Sequence, residues 1–211
     1  MKYTKILGLF ALIGIFSSCQ NDPLSDLTVE DSQVFITNYT KSTNFKQFKT
    51  FSIVDSVLII GNQRTGTTLS GTDVQFLNTV IQQMKNLGYQ YVSPRQSPDV
   101  GINVAQVRNA YLNVVSQPIN PYYGNYWGGG FGGGGFFPGY GYGYPSSYSY
   151  VQTRENYWYL EMIDFKNPDT DNKKYNVVWN AEIRGNGLFD GVDFETMLRS
   201  VFEQSSYLRI N

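Results

Sequence analysis

The stretch Tyr175-Asn176-Val177-Val178-Trp179-Asn180-Ala181-Glu182-Ile183-Arg184 is the longest apolar–polar alternation in the chain. Tyr175, Val177, Trp179, Ala181 and Ile183 share one face, and Asn176, Asn180, Glu182 and Arg184 share the other. A period of two is that of a strand with one face buried. Just upstream, Asn167-Pro168-Asp169-Thr170-Asp171-Asn172 is dense in turn formers. Before that turn, Trp158, Leu160 and Met162 alternate on one face, so the two runs predict an antiparallel hairpin. Further back, Val100, Ile102 and Val104 alternate with small or polar neighbours, and Tyr89-Gln90-Tyr91-Val92 is a shorter run. Thr50-Phe51-Ser52-Ile53-Val54, continued by Val57-Leu58-Ile59-Ile60, opens the domain. Two helices interrupt the strands. Thr72-Asp73-Val74-Gln75 has the pattern of a capping box with Thr72 as cap. Val74, Leu77, Ile81 and Met84, widened by Phe76 and Val80, follow at helical spacing until Gly88 supplies a stop. Asp193 caps a second helix whose apolar face is Phe194, Met197, Leu198, Val201 and Phe202. The order predicts an α+β fold: a single domain with a mainly antiparallel sheet and both helices packed on one face.

The chain before this domain has a different character. Lys2 and Lys5 precede an apolar stretch from Ile6 to Phe16, and Ser17-Ser18-Cys19 follows. A basic start, a short apolar core and small residues describe a secretory signal, and the stretch is shorter than the roughly 20 residues of a spanning helix. Small residues running into a cysteine resemble the lipobox of bacterial lipoproteins. That resemblance implies cleavage before Cys19 and attachment of lipid, palmitate included, to it. The expected organisation is a signal peptide at 1–18, the lipidated Cys19 with a flexible polar tether at 19–34, and the α+β domain at 35–211. Gln20, standing where an aspartate would retain a lipoprotein at the inner membrane, favours the outer membrane as the location in the cell envelope.

Composition excludes several chemistries. The chain has no histidine and one cysteine, so Ser-His-Asp and Cys-His catalysis are ruled out, as are the usual zinc sites. Lipidation of Cys19 leaves no free thiol, and no disulfide can form within the chain. Of 16 basic side chains, Lys2 and Lys5 leave with the signal, against 17 acidic ones that remain. This weakly acidic balance lacks the positive field that nucleic-acid binding needs.

Residues 121–150 read PYYGNYWGGGFGGGGFFPGYGYGYPSSYSY. The segment carries no charge, 11 of the chain's 21 glycines and 12 aromatic residues. Glycine at that density opposes regular structure, so a long loop insertion is expected. Three readings stand side by side: a bland low-complexity extension, an adhesive surface for a protein partner, and contact with glycan or peptidoglycan through aromatic faces. The candidate contact residues are Tyr122, Tyr123, Tyr126, Trp127, Phe131, Phe136, Phe137, Tyr140, Tyr142 and Tyr144. Deleting the segment is expected to leave the domain folded.

Several patterns imitate sites. Gly61-Asn62-Gln63-Arg64-Thr65-Gly66-Thr67-Thr68 follows a strand-like run, but Thr67 stands where a phosphate-binding loop needs lysine. It reads as a polar loop, and no nucleotide is expected. Asp169, Asp171 and Lys173 open like a calcium loop, with a cation at a ligand position; a hairpin turn fits better. Glu161, Asp164 and Glu182 lie on the hairpin strands and read as solvent-facing charge, with paired-carboxylate hydrolysis the remote alternative. Trp158 and Trp179 read as packing residues. No metal or other cofactor is expected.

With these elements placed, the chain resembles the bacterial lipoprotein family of domain of unknown function 4136. The resemblance rests on Phe45-Lys46-Gln47-Phe48-Lys49-Thr50-Phe51, Leu87-Gly88-Tyr89 and Ser97-Pro98-Asp99-Val100-Gly101-Ile102-Asn103-Val104. It continues through Tyr159-Leu160-Glu161-Met162-Ile163-Asp164 and Val177-Val178-Trp179-Asn180-Ala181. It covers residues 35–208, with the aromatic-glycine segment as a variable insertion. Asn180 departs from a common arginine, and the frequent terminal Phe-Pro is missing. The family implies a small α+β envelope domain and offers no catalytic residue. The expected function is therefore a lipid-anchored, non-catalytic envelope protein, a scaffold or interaction module using 121–150. Its partners are the membrane through Cys19 and an envelope protein, with cell-wall glycan as the alternative.

Overall fold

The computed structural model describes residues 32–61, 66–108, 126–127, 156–171, 174–185, 187–189 and 193–211. The expected signal, Cys19 and the expected tether up to residue 31 lie outside them. A compact unit runs from Gln33 to Asn211. Its strands are β1 (Val34–Tyr39), β2 (Thr50–Ile53), β3 (Val57–Gly61), β4 (Gly66–Thr68), β5 (Gln90–Tyr91), β6 (Val100–Arg108), β7 (Tyr157–Asp169) and β8 (Lys174–Arg184). Its two α-helices are α1 (Gly71–Asn86) and α2 (Phe194–Gln204).

The eight strands form one sheet in the order β1-β8-β7-β6-β2-β5, with β3 also on β6 and β4 on β3. The β7–β8 hairpin is antiparallel, as are β6–β7, β1–β8 and β3–β4. Three pairs are parallel: β2 with β5, β2 with β6, and β3 with β6. The parallel pairs follow from α1, since a strand that returns through a helix re-enters the sheet in the same direction. The two apolar runs at 50–60 are separate strands, each lying beside a different stretch of β6. One strand escapes the sequence reading altogether: β1 begins inside what reads as the tether.

Both helices pack on one face of the sheet. Trp158, Leu160 and Met162 of β7 are paired with Ile183, Ala181 and Trp179 of β8, so these side chains share that face. Phe76 of α1 stacks on Trp158 with ring centroids 3.9 Å apart. Phe202 of α2 stacks on Trp179, whose indole N–H donates to Ser205 Oγ at 3.0 Å. All five residues of the expected α2 face are buried, beneath the Asp193 cap. In α1 the buried stripe is Phe76, Leu77, Val80 and Met84, whereas Val74 is exposed.

The cap of α1 is Ser70, not Thr72. Ser70 Oγ accepts the Asp73 N–H, and Asp73 Oδ2 accepts the Ser70 N–H at 2.7 Å. Ser70-x-x-Asp73 competes with Thr72-x-x-Gln75 and wins because Asp73 also accepts from Thr68 Oγ1 and Gln106 Nε2. The helix ends where expected: Gly88 has φ +104°, and a Cβ there would press on Ile210 at 3.0 Å. Next to it, burial pushes the Tyr89 phenol well above its ordinary pKa, and its hydroxyl donates to the Leu208 carbonyl.

Asp99 joins three strands at one end of the sheet. Its carboxylate accepts the N–H groups of Lys49 (2.6 Å) and Thr50 (3.1 Å), and its own N–H donates to Thr50 Oγ1. Its carbonyl accepts from Phe165 and Lys166, and the Lys166 ammonium lies 3.4 Å from the carboxylate. Partial burial pushes the acid's pKa up, but the two backbone donors and Lys166 outweigh it and hold it below 3.8. A depressed carboxylate stabilises the fold above its unfolded pKa and loses that contribution as pH falls through the folded value. Asp99→Asn is therefore expected to cost about 1.5–3 kcal/mol near neutral pH. In denaturant titrations across pH, the gap between variant and wild type should close as pH drops below about 4; a gap that stays constant would show the charge to be irrelevant.

Candidate functional site

The face of the sheet opposite the helices is closed at its centre. Gly101, Asn103, Ala105 and Val107 of β6 are paired with Ile163, Glu161, Tyr159 and Tyr157 of β7, and all eight are buried. Buried polar side chains require partners. Glu161 Oε1 accepts from Asn103 Nδ2 at 2.6 Å, and Asn103 Oδ1 accepts the indole N–H of Trp127 at 2.6 Å. Trp127 is 0% exposed. It packs edge-on to Tyr126 and 5.1 Å from the Phe165 ring, while Tyr126 donates its hydroxyl to the Ile53 carbonyl. The seat depends on Gly101: a Cβ there would enter the Phe165 ring and stand 3.2 Å from Trp127. Ser52, opposite Gly101 in the parallel ladder, has a fully buried hydroxyl with no partner among the described residues.

A cleft of about 380 Å³ lies nearby, where β7 and β8 part. The β7–β8 ladder has no pairs between Asp164 and Asp169. The cleft has a mixed lining: the polar Thr40, Ser42, Thr43, Gln47, Asn167 and Asn176 around Asp164, and the apolar Val177 and Val178. Asp164 accepts from the Asn167 N–H (2.9 Å) and its amide Nδ2 (2.9 and 3.2 Å).

These placements correct the sequence reading at several residues. Trp127 is a core residue, because its N–H finds an acceptor only inside the domain; it cannot serve as an exposed anchor. Tyr126 is half-buried. Tyr122, Tyr123, Phe131, Phe136, Phe137, Tyr140, Tyr142 and Tyr144 lie outside the described residues, as does Cys19. Deleting 121–150 would remove a core tryptophan, so the expectation of an unperturbed domain is revised. Glu161 and Asp164 are buried instead of solvent-facing: Glu161 because the face opposite the helices is covered, Asp164 because it lies in register with Val100 on the other side and is enclosed by Asn167 where β7 and β8 part. Glu182 alone of the three is partly open, and it pairs with Arg184 at 2.7 Å. Glu161 faces Asn180 and Glu182 faces Tyr159 across the ladder, so the structure does not set the two carboxylates opposite each other. Gly66–Thr68, read as part of a polar loop, is a short strand, and Asp169 pairs with Lys174 across the hairpin. Asn103, the residue that organises the site, was not singled out. Its signal was an amide inside an otherwise apolar strand.

Two measurements check this seat. Trp127→Ala is expected to cost about 3–5 kcal/mol, with Trp127→Phe also destabilising because it strands the Asn103 carbonyl oxygen. Ser52→Ala is expected to be neutral or to stabilise by about 1 kcal/mol, since it removes an unpaired hydroxyl. Chemical denaturation separates the cases. A Trp127→Ala protein as stable as wild type would remove the tryptophan from the core, and a Ser52→Ala loss beyond 1 kcal/mol would mean the hydroxyl has a partner.

Comparison with known proteins places the chain. The model for Domain of unknown function (DUF4136) matches residues 36–205. The DUF4136 family protein BT2437 from Bacteroides thetaiotaomicron, a crystal structure, is 27% identical with a TM-score of 0.62, over 86% of this chain and 100% of that one. The PelC dodecamer from Paraburkholderia phytofirmans is 11% identical with a TM-score of 0.41, over 85% of this chain and 99% of that one. A PDZ domain protein from Parabacteroides distasonis is 15% identical with a TM-score of 0.38, over 83% of this chain and 36% of that one. No curated protein matches. The match over residues 36–205 means that the chain belongs to the family of the domain of unknown function DUF4136.

Proposed function

We propose that this protein is held at the outer membrane by lipid on Cys19 and works there as a non-catalytic scaffold or interaction module, with segment 121–150 as its contact surface. The observation that carries the reading is the burial of Trp127 and its hydrogen bond to Asn103. A passive low-complexity insertion has no need to contribute a satisfied core residue. Trp127 joins the segment to the domain, and the segment's other aromatics are, in sequence, interspersed with glycines with no charge among them. Tyrosine-rich, charge-poor composition is that of interface centres. The non-catalytic part is supported by the three sheet carboxylates. Glu161 and Asp164 are buried on amide partners and Glu182 is taken by Arg184, whereas a catalytic carboxylate must reach a substrate.

A second reading, glycan binding, is favoured by the cleft. Hydroxyls and amides around a single carboxylate suit a neutral polyhydroxylated ligand, and the volume fits a small-molecule site. The expected contact then lies in the cleft and not on Trp127.

Photo-crosslinking from position 142 in living cells, followed by mass spectrometry, tests the contact surface. One recurrent protein adduct is expected. Adducts to glycan alone would move the function to wall binding, and adducts no richer than background would end the interaction reading. The anchor has its own test: Cys19→Ala protein should leave the membrane fraction, and its retention there would sink the lipid anchor.

A further inference from the structure

The sheet ends in two unlike edges. On one side β5 is two residues long and β4 three, and short edge strands offer little backbone to another chain. On the other side β1 runs six residues, paired along its whole length with β8. Nothing among the described residues pairs with its outer side. Gln33–Thr40 contains neither a charge nor a proline, the usual means of blocking an edge. Val34, Ile36 and Tyr39 are exposed, so half of the six large exposed hydrophobics among the described residues fall on this one strand. Val34, Ile36 and Asn38 are paired with Arg184, Glu182 and Asn180, on the face away from the helices. Glu182 and Arg184 form an ion pair with each other, so the adjoining row carries no net charge.

We propose that β1 is a homodimerisation edge, on which a second copy of this chain pairs antiparallel about a two-fold axis. Residues opposite each other in an antiparallel pair lie on the same face. An axis at Ile36 therefore sets Ile36 against itself and Val34 against Asn38 of the second copy. An identical strand without charge meets no like-charge opposition, which is how edges of monomers refuse their own copies. The chain outside the strand also favours a second copy over a foreign strand. Cys19 lies 13 residues before Ser32, a tether reaching at most about 45 Å. On the lipid-anchor reading above, copies share one membrane plane, and linkage of that kind raises their effective concentration.

The test uses the full chain with Cys19→Ser, so that lipid-driven association is absent and failure of the anchor is separable from failure of the pairing. Sedimentation velocity over a concentration series is expected to show a dimer. Ile36→Lys should weaken it at least tenfold while circular dichroism, and the melting temperature at concentrations where both proteins are monomeric, stay unchanged. In the same background, Ile36→Cys is the sole cysteine and should form a disulfide-linked dimer on mild oxidation. Opposed residues in such a pair lie about 4.5–5.5 Å apart between Cα atoms, within disulfide reach. Leu69→Cys, on a more exposed apolar residue that follows β4 and is not part of β1, should not cross-link. A monomer at all concentrations, a dimer indifferent to Ile36→Lys, or equal cross-linking through Leu69→Cys would each overturn the proposal.

Discussion

At the end of the sheet where β2 and β6 begin, one carboxylate replaces several main-chain partners. Asp99 takes the N–H groups of Lys49 and Thr50, gives its own N–H to Thr50, and receives Phe165 and Lys166 on its carbonyl. The β2–β6 ladder it starts is only three residues long, Phe51 with Val100, Ser52 with Gly101 and Ile53 with Ile102. A ladder so short, with both faces of β2 buried, cannot set its register by hydrophobic pattern alone, because a slip of one residue still buries apolar groups. The Asp99 clamp supplies the missing specification. It also explains why the segments Phe45–Phe51 and Ser97–Val104 matter together: each contains one half of a single hydrogen-bonded junction.

The register fixed there determines what the covered face can hold. Setting Ser52 beside Gly101 leaves a strand position without a side chain, and the rings of Phe165 and Trp127 occupy the space. Two residues along the strand, Asn103 stands between Trp127 and Glu161 and satisfies one with each end of its amide. A half-satisfied network in this position would cost more than an apolar one. The amide is therefore tied to the tryptophan, and the tryptophan to the glycine. Gln106 plays the matching part on the helix face, donating to Asp73 and accepting from Arg108 Nε at 2.9 Å.

What the sequence showed depended on how local the cause was. The β7–β8 hairpin, the Asp193 cap and the Gly88 stop rest on neighbours within a few residues, and periodicity or turn chemistry exposed them. Strand β1 was invisible because its ladder partners are 140 to 150 residues away and apolar residues fall on both of its faces. The choice of Ser70 over Thr72 was made by Thr68 and Gln106, which no local pattern includes. Glu161 and Asp164 read as solvent-facing because alternation identifies a polar face without saying whether anything covers it. Asn103 and Gln106 were the available warning: amides in a strand whose other side chains are apolar up to the terminal Arg108 signal a buried network on each face. Trp127 was misread because its surroundings are glycine-rich, while its fate was decided by an acceptor on another strand.

The distribution of charge carries the argument one step further. Charged residues make up 16% of the chain, so about six would be expected by proportion in the combined 38 residues of 33–40 and 121–150. There are none. Burial accounts for part of this deficit, since Phe35 and Trp127 pack into the domain. It does not account for Val34 and Ile36, which are exposed on the outer strand, whereas Tyr39 is partly covered by stacking on Tyr207. Charge depletion with aromatic enrichment marks the centres of contact surfaces more reliably than bulk hydrophobicity does. Other charge-free runs, such as 74–84 and 100–107, lie in the helix and strand that build the core. Both 33–40 and 121–150 are joined to the sheet by specific contacts, the first through the ladder of β1 to β8 and the second through Trp127. Selection for stability alone would have placed charges on the edge at little cost. Their absence from β1 is the feature on which the edge-pairing proposal rests.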